Sequence, residues 1–274
     1  YKPVPQTAET DLVQAAELIN KANNPMVVWG QGVILGEAEK EFRAFVEKSG
    51  VPAAWTILGV SAIETAHPLN VGMVGMHGNY GPNLLTNQCD VLIAIGMRFD
   101  DRVTGDLSTY AKQAKIIHFE IDPAEVNKNV KVDVAVMGDV KHTLASIMPH
   151  IETKTYPKWL GRFKKLDAIE FNKVIDAEIN PTKLGLTMGE VIKTINTNSK
   201  GDAVIVTDVG QHQMSACRYA EFVQSKSNIT SGGLGTMGFA LPAALGAKMG
   251  APEREVVAVI GDGGFQMNIQ ELGT

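Results

Sequence analysis

Short apolar segments alternate with helical segments along most of the chain, and many apolar segments end in a turn that contains glycine. Residues 26–29, 91–95 and 256–260 are runs of this kind, and Gly30, Gly96 and Gly261 follow them. Strands of a parallel sheet are continuously apolar because helices cover both faces of the sheet. The alternation therefore predicts right-handed βαβ units in an α/β fold with parallel sheets.

The predicted elements form two groups, which a charged helical stretch separates. Residues 1–150 contain strands at 26–29, 51–55, 91–95, 115–121 and 132–137 with helices between them, as in a Rossmann-like domain. Residues 151–186 contain no apolar strand, so we interpret them as a helical linker packed on the surface. Residues 187–274 contain three further strands, at 203–207, 228–231 and 256–260.

The two ends of the chain indicate a piece of a longer polypeptide. The chain begins at Tyr1 rather than Met, and it ends at Thr274, a few residues into a predicted helix. Its 274 residues suit two domains. We therefore expect the second domain to be truncated, to lack later strands and to expose apolar surface.

Composition and charge exclude several classes of protein. The chain is 45% hydrophobic with a net charge of -5, and it lacks the basic stripe that nucleic-acid binding requires. The longest apolar runs have the length of a strand and are too short to cross a membrane. Cys89 and Cys217 lie in different segments and form no disulfide framework, which favours a reducing, cytoplasmic location.

The last predicted strand is followed by Gly261-Asp262-Gly263-Gly264. Glycines at such a position let the backbone approach an anion and present N–H groups to phosphate. One aspartate beside a diphosphate suits Mg²⁺, which prefers oxygen ligands and bridges phosphate oxygens. The alternative is a tight turn in which Asp262 caps the next helix.

A second turn contains the pattern GxGxxG at Gly233, Gly235 and Gly238, between a predicted strand and a helix. This pattern is typical of a Rossmann dinucleotide site, with Asp262 as the acid that binds the ribose. A nucleotide-dependent dehydrogenase is therefore an alternative function. Residues 228–231 are, however, too polar for a central parallel strand, and a ribose-binding aspartate needs no pair of glycines directly after it.

The third strand end enters a helix with the sequence Asp208-Val209-Gly210-Gln211-His212-Gln213. Its amide and imidazole donors are suited to a phosphate, and the alternative for His212 is a solvated helix cap. The three turns belong to one predicted sheet, and two of them are rich in glycine. Together they favour a phosphate-binding site more strongly than any one of them does.

Longer blocks of sequence extend this interpretation to a family. Residues 187–274 resemble the diphosphate-binding domain of thiamine diphosphate (ThDP) enzymes, whose marker begins with Gly-Asp-Gly. The blocks GMRFDDRVTG at 96–105, VGMHG at 74–78 and HFEIDPAE at 118–125 are similar to those of acetolactate synthase large subunits, as is the run at 233–241. The alternative for Arg98, Asp100, Asp101 and Arg102 is a solvated cluster of ion pairs, which contributes little to stability.

The resemblance implies that the first domain is the central, FAD-binding domain of such an enzyme. In that family the flavin is not needed for net redox chemistry. The family often has aspartate where this chain has Glu120. The FAD contacts that the resemblance implies are Gly30, Gly32, Thr56, Ile57, Leu58, Gly75, Met76, His77, Gly96, Arg98, Asp101, Arg102, Val103, Glu120, Ile121, Gly138 and Asp139.

The resemblance also implies that the second domain binds ThDP and Mg²⁺. Asp262 would bind the metal. Gly235 and Met237 would contact the aminopyrimidine, although packing in a core is the alternative for Met237. The residues that would hold the diphosphate are Val209, Gly210, Gln211, His212, Gly263 and Gly264.

The implied reaction is decarboxylation of pyruvate and carboligation to a second 2-keto acid, in branched-chain amino-acid biosynthesis. Pyruvate as acceptor gives 2-acetolactate, and 2-ketobutyrate gives acetohydroxybutyrate. The family further implies a homodimer or larger oligomer and a regulatory small subunit. Its activating glutamate and second metal ligand lie outside this chain, so no catalytic residue is assigned and the isolated chain is expected to be inactive. The alternatives are a pyruvate oxidase-type enzyme and a nucleotide-binding module without chemistry.

Overall fold

The computed structural model describes residues 4–182 and 185–274. The chain divides into two compact units. Unit 1 contains the residues up to Val60 together with His67–Ala168, and unit 2 contains Ser61–Ala66 together with Ile169–Thr274. The linker predicted at 151–186 is thus divided between the two units, and a short segment after the second strand belongs to unit 2.

Unit 1 is built from alternating strands and helices, as the sequence predicts. Its strands are β1 Pro25–Trp29, β2 Ala53–Trp55, β3 Asn70–Met73, β4 Val91–Ile95, β5 Lys115–Glu120 and β6 Val134–Met137. Its helices are α1 Glu9–Lys21, α2 Gly32–Leu35, α3 Glu39–Ser49, α4 Tyr80–Thr86, α5 Asp101–Thr104 and α6 Val140–Ile147, followed by a 3₁₀ turn at Met148–His150 and by α7 Pro157–Glu170. The short elements α2, β3 and α5 are those that the apolar pattern did not predict.

The strands of unit 1 form one parallel sheet in the order β3-β2-β1-β4-β5-β6. This is the order of a doubly wound Rossmann sheet, which confirms the predicted fold class. All carboxyl ends lie at one edge, and the strand order reverses between β1 and β4. Ligands of open α/β sheets bind outside such a reversal point.

The central strands explain why the apolar runs are continuous. Every residue of β1 and β4 is buried, because helices cover both faces of the sheet. Helix α7 also contributes to this core: Trp159 and Phe163 are both 2% exposed, and the Trp159 indole N–H donates to Pro25 O over 2.8 Å. Residues 157–170 are helical as predicted, but they cover the core of unit 1 with two large aromatic side chains rather than packing only on its surface.

Unit 2 contains a smaller sheet. After a π-helical turn at Phe171–Ile175, its elements are α8 Asp176–Ile179, α9 Met188–Ser199, β7 Val204–Thr207, α10 Gln211–Tyr219, β8 Asn228–Thr230, α11 Ala240–Gly250, β9 Val256–Val259, α12 Asp262–Met267 and a 3₁₀ turn at Ile269–Gly273. The strands are parallel in the order β8-β7-β9. The polar strand β8 therefore lies at an edge, as its composition requires.

Strand β9 differs from its sequence-based interpretation. Its apolar run predicts the most buried strand of the chain, yet each of its residues is partly or well exposed, whereas β7 is fully buried. The reason is position, because β7 pairs with strands on both sides and β9 pairs with β7 only, among the residues described.

Several apolar side chains in the last part of unit 2 are exposed. Met249 is 82% exposed and Leu272 is 64% exposed, and Met267 and Ile269 are also exposed. Even so, none of the helices in residues 4–182 and 185–274 combines the length and apolarity that crossing a membrane requires.

Candidate cofactor sites

The predicted FAD contacts of unit 1 lie on the loops at the carboxyl edge of its sheet. Each of the six parallel strands ends at this edge, so the loops approach one another in space although they are far apart in sequence. The loops and the predicted contacts in them are Gly30 and Gly32 after β1, Thr56, Ile57 and Leu58 after β2, Gly75, Met76 and His77 after β3, Gly96, Arg98, Asp101, Arg102 and Val103 after β4, Glu120 and Ile121 at and after the end of β5, and Gly138 and Asp139 after β6.

Three glycines at the reversal point pack backbone against backbone. The N–H of Gly32 donates to Gly96 O over 2.8 Å, and the N–H of Gly30 donates to Ile95 O over 3.0 Å. A β-carbon on Gly30 or Gly32 would lie 2.6 Å from Gly96 O or Gly96 Cα respectively, which no side chain tolerates. Glycine is thus required here by loop packing, independently of any approach to a cofactor.

The loop after β3 is held against the loop after β4. The N–H of Met76 donates to Arg102 O over 2.8 Å, and the Asn83 side-chain amide both donates to and accepts from the backbone of Gly75. Met76 is exposed at this edge. Burial lowers the pKa of His77, and the nearby charge of Arg102 lowers it further, so the neutral imidazole is favoured at pH 7.

The charged block after β4 is only in part a cluster of ion pairs. Arg98 and Asp100 form a partly exposed pair with 3.4 Å between Nη2 and Oδ2. The Asp100 carboxylate also accepts from the N–H of Arg102 and caps α5. Arg98, Asp101 and Arg102 are exposed at the sheet edge, where the two guanidinium groups remain accessible to an anionic group.

The acid at the end of β5 is held in place by a buried histidine. Glu120 Oε1 accepts from the N–H groups of Ile121 and Asp122, and Glu120 Oε2 lies 3.4 Å from Nε2 of His118. His118 is fully buried, and its Nε2 lies 2.8 Å from Met97 O. Burial by itself would raise the pKa of Glu120, but the contact with His118 and the two backbone donors outweigh it and lower that pKa.

The remaining loops of unit 1 complete the edge of the sheet. Thr56 is buried and its N–H donates to Trp29 O, while Ile57 and Leu58 are half-buried. Gly138 donates to Glu120 O over 3.0 Å. Asp139 caps α6 by accepting from the N–H groups of Lys141 and His142.

In unit 2, the loop after β7 directs an imidazole between two glycines. His212 is the second residue of α10, and its ring lies against Gly210 and Gly261, the latter on the loop after β9. Its Nε2 is buried with no hydrogen-bond partner among the residues described. Burial lowers the pKa of His212, and the nearby Asp208 offsets this only in part. His212 is therefore not a solvated cap, because its ring packs against these two glycines.

The glycine-rich loop after β8 carries Gly235 and Met237. The Gly235 N–H donates to Ser231 O over 2.9 Å, and Val209 side-chain atoms lie 3.9–4.0 Å from the β-carbon position of Gly235. Met237 is 48% exposed, so it is not a core residue. Its methyl group lies 3.2 Å from the β-carbon position of Gly263. The loop after β8 therefore lies close to the loop after β9.

The loop after β9 leads into α12, whose first residue is Asp262. The N-cap is Gly261, and no side-chain capping bond is present there, so Asp262 does not act as the cap. Asp262 is exposed. No group of three or more His, Cys, Asp or Glu side chains with metal-binding geometry occurs among the described residues. Mg²⁺, however, is commonly held by one or two carboxylates together with phosphate oxygens and water, which matches one carboxylate beside glycine backbone.

The structure shows contacts of Asp208 and Gln213 that the sequence analysis did not predict. Asp208 is 1% exposed and bonds to the loop after β8. The Gln213 amide donates to Thr230 Oγ1, which also bonds to Thr207 Oγ1. An acid directly after a largely apolar strand was the available signal for Asp208. The Gln213 contact joins segments far apart in sequence and had no local signal.

The dehydrogenase alternative loses its structural basis. In a Rossmann site the glycine-rich turn follows the first strand, at the centre of the sheet. In unit 2 the GxGxxG turn follows the edge strand β8, and Gly238 within it is constrained by Asn268, whose amide donates to Gly238 O.

Comparison with known proteins agrees with this architecture. Residues 12–147 match the thiamine pyrophosphate enzyme central domain, and residues 208–274 match the thiamine pyrophosphate enzyme C-terminal TPP binding domain. Over its whole length the chain is 43% identical to the acetolactate synthase large subunit of Corynebacterium glutamicum and 41% identical to the probable acetolactate synthase large subunit of Methanocaldococcus jannaschii. Over 96% of its length it is 39% identical to the acetolactate synthase isozyme 2 large subunit of Escherichia coli.

The chain covers 44%, 47% and 47% of these three proteins respectively, or about half of their length. The two family matches follow the same order as the two units and together include both sets of strand-end loops. The chain belongs to the thiamine pyrophosphate enzyme family, in which these three relatives are acetolactate synthase large subunits.

Proposed function

We propose that this chain is part of an acetolactate synthase that uses ThDP and Mg²⁺. The enzyme decarboxylates pyruvate and joins the remaining two-carbon unit to a second 2-keto acid. Pyruvate as acceptor gives 2-acetolactate, and 2-ketobutyrate gives acetohydroxybutyrate. The observation that carries the proposal is the convergence of three loops in unit 2, where the His212 ring lies against two glycines and its Nε2 has no partner among the described residues, in a chain that matches the ThDP-binding domain.

The groups of unit 2 fit a diphosphate and a divalent cation. The Nε2 of His212 has no hydrogen-bond partner in the described part of the chain, and Gly263 and Gly264 lie in the first turn of α12, whose N–H groups favour an anion. Val209, Gly210 and Gln211 form the turn into α10. Asp262 supplies an exposed oxygen ligand beside these donors. These residues would hold the diphosphate and its Mg²⁺.

The loop after β8 would orient the other end of the cofactor. Gly235 leaves space for an aromatic ring, and the half-exposed Met237 offers an apolar surface beside it. ThDP supplies the carbanion chemistry when it is bound. The residues of this chain bind and orient the cofactor, and its aminopyrimidine and diphosphate ends contact different loops of the same sheet edge.

Unit 1 is proposed to bind FAD at the carboxyl edge of its sheet. Arg98 and Arg102 are exposed cations suited to the diphosphate, and Glu120 is a fixed acceptor for a hydroxyl group. Met76 and Ile121 offer exposed apolar surface. We propose a structural role for the flavin, without net redox chemistry.

We further propose that the enzyme is a cytoplasmic homo-oligomer with a regulatory small subunit. The relatives that support this are named as large subunits. The isolated 274-residue chain is expected to lack carboligase activity.

The test is an assay of the full-length protein with pyruvate, ThDP, Mg²⁺ and FAD. We expect 2-acetolactate, and a mixed product when 2-ketobutyrate is added. Acetate formation with bleaching of the flavin band would instead identify a pyruvate oxidase-type enzyme. Flavin binding without any turnover of pyruvate would instead identify a nucleotide-binding module that does no chemistry.

A further inference from the structure

Asp208 is the most buried acid of unit 2 at the strand-end loops. It directly follows β7, the central strand, and it is 1% exposed. A buried carboxylate is costly unless hydrogen bonds compensate it. Its contacts therefore identify the part of the structure that depends on its charge.

Both oxygens of Asp208 are used, and each serves a different residue of the loop after β8. Oδ2 accepts from the N–H of Gly238 over 3.2 Å, and Oδ1 accepts from the N–H of Ala240 over 2.5 Å. These N–H groups lie at the start of the eleven-residue helix α11, where the helix dipole also favours a negative charge.

The same carboxylate also faces α12, the helix that follows the loop after β9. A β-carbon on Gly264 would collide with Asp208 Oδ2 and would lie 3.0 Å from Asp208 Cγ and 3.5 Å from Gly238 N. Asp208, Gly238 and Gly264 thus meet at one buried point. All three strand-end loops of the sheet are represented there.

We propose that Asp208 is a positioning residue for ThDP, which sets the spacing between the loop carrying Gly235 and Met237 and the helix start carrying Asp262 and Gly263. The inference rests on the proposed function. Asp208 fixes the end of the glycine-rich loop by two hydrogen bonds, and Gly264 lets α12 close onto the same carboxylate. Asp208 does not itself touch the cofactor.

The geometry specifies a carboxylate rather than a polar group of the same size. In D208N the side chain keeps its shape but offers one oxygen instead of two. The amide nitrogen would then face the N–H of Gly238 or of Ala240, which places a donor against a donor. One hydrogen bond is lost, and the loop is released at that end.

The first experiment measures binding of two probes to the full-length protein, ThDP and inorganic pyrophosphate, each with Mg²⁺. We expect D208N to lower the affinity for ThDP by about tenfold or more, as for loss of a hydrogen bond to a charged group. The affinity for pyrophosphate should fall much less, because pyrophosphate lacks the ring that Gly235 and Met237 would contact.

The matched control is T187A. Thr187 caps α9 in the same unit by accepting from the N–H of Glu190 over 3.1 Å, and its other hydrogen bonds join it to Glu178 and Val191, outside the three loops. T187A should lower the melting temperature and leave both affinities unchanged. If D208N behaves like T187A, Asp208 is only a helix cap and the inference is wrong.

A double variant separates stability from positioning. G264A should destabilise the protein, and the loss should be much smaller in the D208A background, because the carboxylate that the new methyl group meets is gone. The affinity for ThDP should stay low in D208A/G264A. Recovery of ThDP affinity together with stability would overturn the inference. Failure of the unmodified protein to bind ThDP would instead overturn the proposed function.

Discussion

The backbone N–H of Gly32 donates to the carbonyl oxygen of Gly96 over 2.8 Å and so joins the loops after β1 and β4 at the reversal point of the larger sheet. The two backbones are so close that a β-carbon on Gly96 would lie 2.8 Å from Gly32 Cα. Gly96 also has a φ of +55°, a left-handed conformation that side chains disfavour.

Replacing Gly96 by alanine should therefore destabilise unit 1 by two additive effects. We expect G96A to lower the free energy of unfolding by about 3 kcal/mol, from backbone strain plus steric overlap. The control is G161A, since Gly161 lies within helix α7 and has no atom within 4 Å of its β-carbon position. G161A should not lower the free energy of unfolding, because alanine is favoured over glycine in a helix. Urea unfolding measures both, and equal losses would contradict the packing argument.

Truncation of Trp159 tests whether α7 belongs to the core of unit 1. Trp159 is 2% exposed and its indole N–H donates to Pro25 O. W159A should therefore lower the free energy of unfolding by about 3–5 kcal/mol. The neighbouring exposed residue provides the control, and K158A should change the free energy of unfolding by less than about 0.5 kcal/mol. If W159A changes the free energy of unfolding only slightly in chemical denaturation, α7 is a surface linker and not part of the core.

The stability that Glu120 contributes should depend on pH. Its pKa is lowered in the folded protein, because the contacts with His118, Asp122 and Ile121 outweigh burial. The stabilising effect is thus complete above the ordinary glutamate pKa of about 4.3 and is lost as the pH falls through the lowered value. E120Q should be less stable than the unmodified protein by about 1–2 kcal/mol at pH 7, and the difference should shrink below about pH 4. A difference that stays constant between pH 7 and pH 3 would argue against this assignment.

Asp262 should be the residue through which this chain binds Mg²⁺. D262N keeps the size of the side chain but removes its charge, so the Mg²⁺ concentration that supports ThDP binding should rise by about tenfold or more. Removal of Mg²⁺ with a chelator should release ThDP and leave FAD bound, because the two predicted sites lie on different units. D106N, at an exposed carboxylate of unit 1, should leave the requirement for Mg²⁺ unchanged. An unaltered requirement in D262N would show that the cation is held elsewhere.

The strands whose burial is continuous were predictable because their pattern is local. Residues 91–95 are apolar without interruption, and β4 occupies the same positions in the interior of the sheet. The same reasoning fails for β9, whose apolar residues resemble those of β4 although, within the described part of the chain, the strand pairs with β7 alone. Burial of a strand depends on the number of its neighbours; a polar segment such as β8 indicates an edge, but an apolar segment does not reveal how many neighbours it has.

The candidate sites show the same division. The turns at 30–32, 208–213 and 261–264 all lie at carboxyl ends of parallel strands, as their order along the chain predicted. Their partners were not predictable, since Gly264 faces Asp208 from 56 positions away and the buried His118 on β5 contacts Met97 O after the neighbouring strand β4. These contacts join segments with no shared periodicity.

The sequence by itself determined the alternation of strands and helices, the parallel sheets and the loops that carry the candidate cofactor contacts, because periodicity and turn residues act over a few positions. Only the tertiary structure decided why particular glycines are required. Gly32 and Gly96 are glycines because two backbones meet there, and Gly264 is a glycine because a buried carboxylate occupies the adjacent space. Such requirements arise from close packing between distant segments, which exists only once the chain has folded.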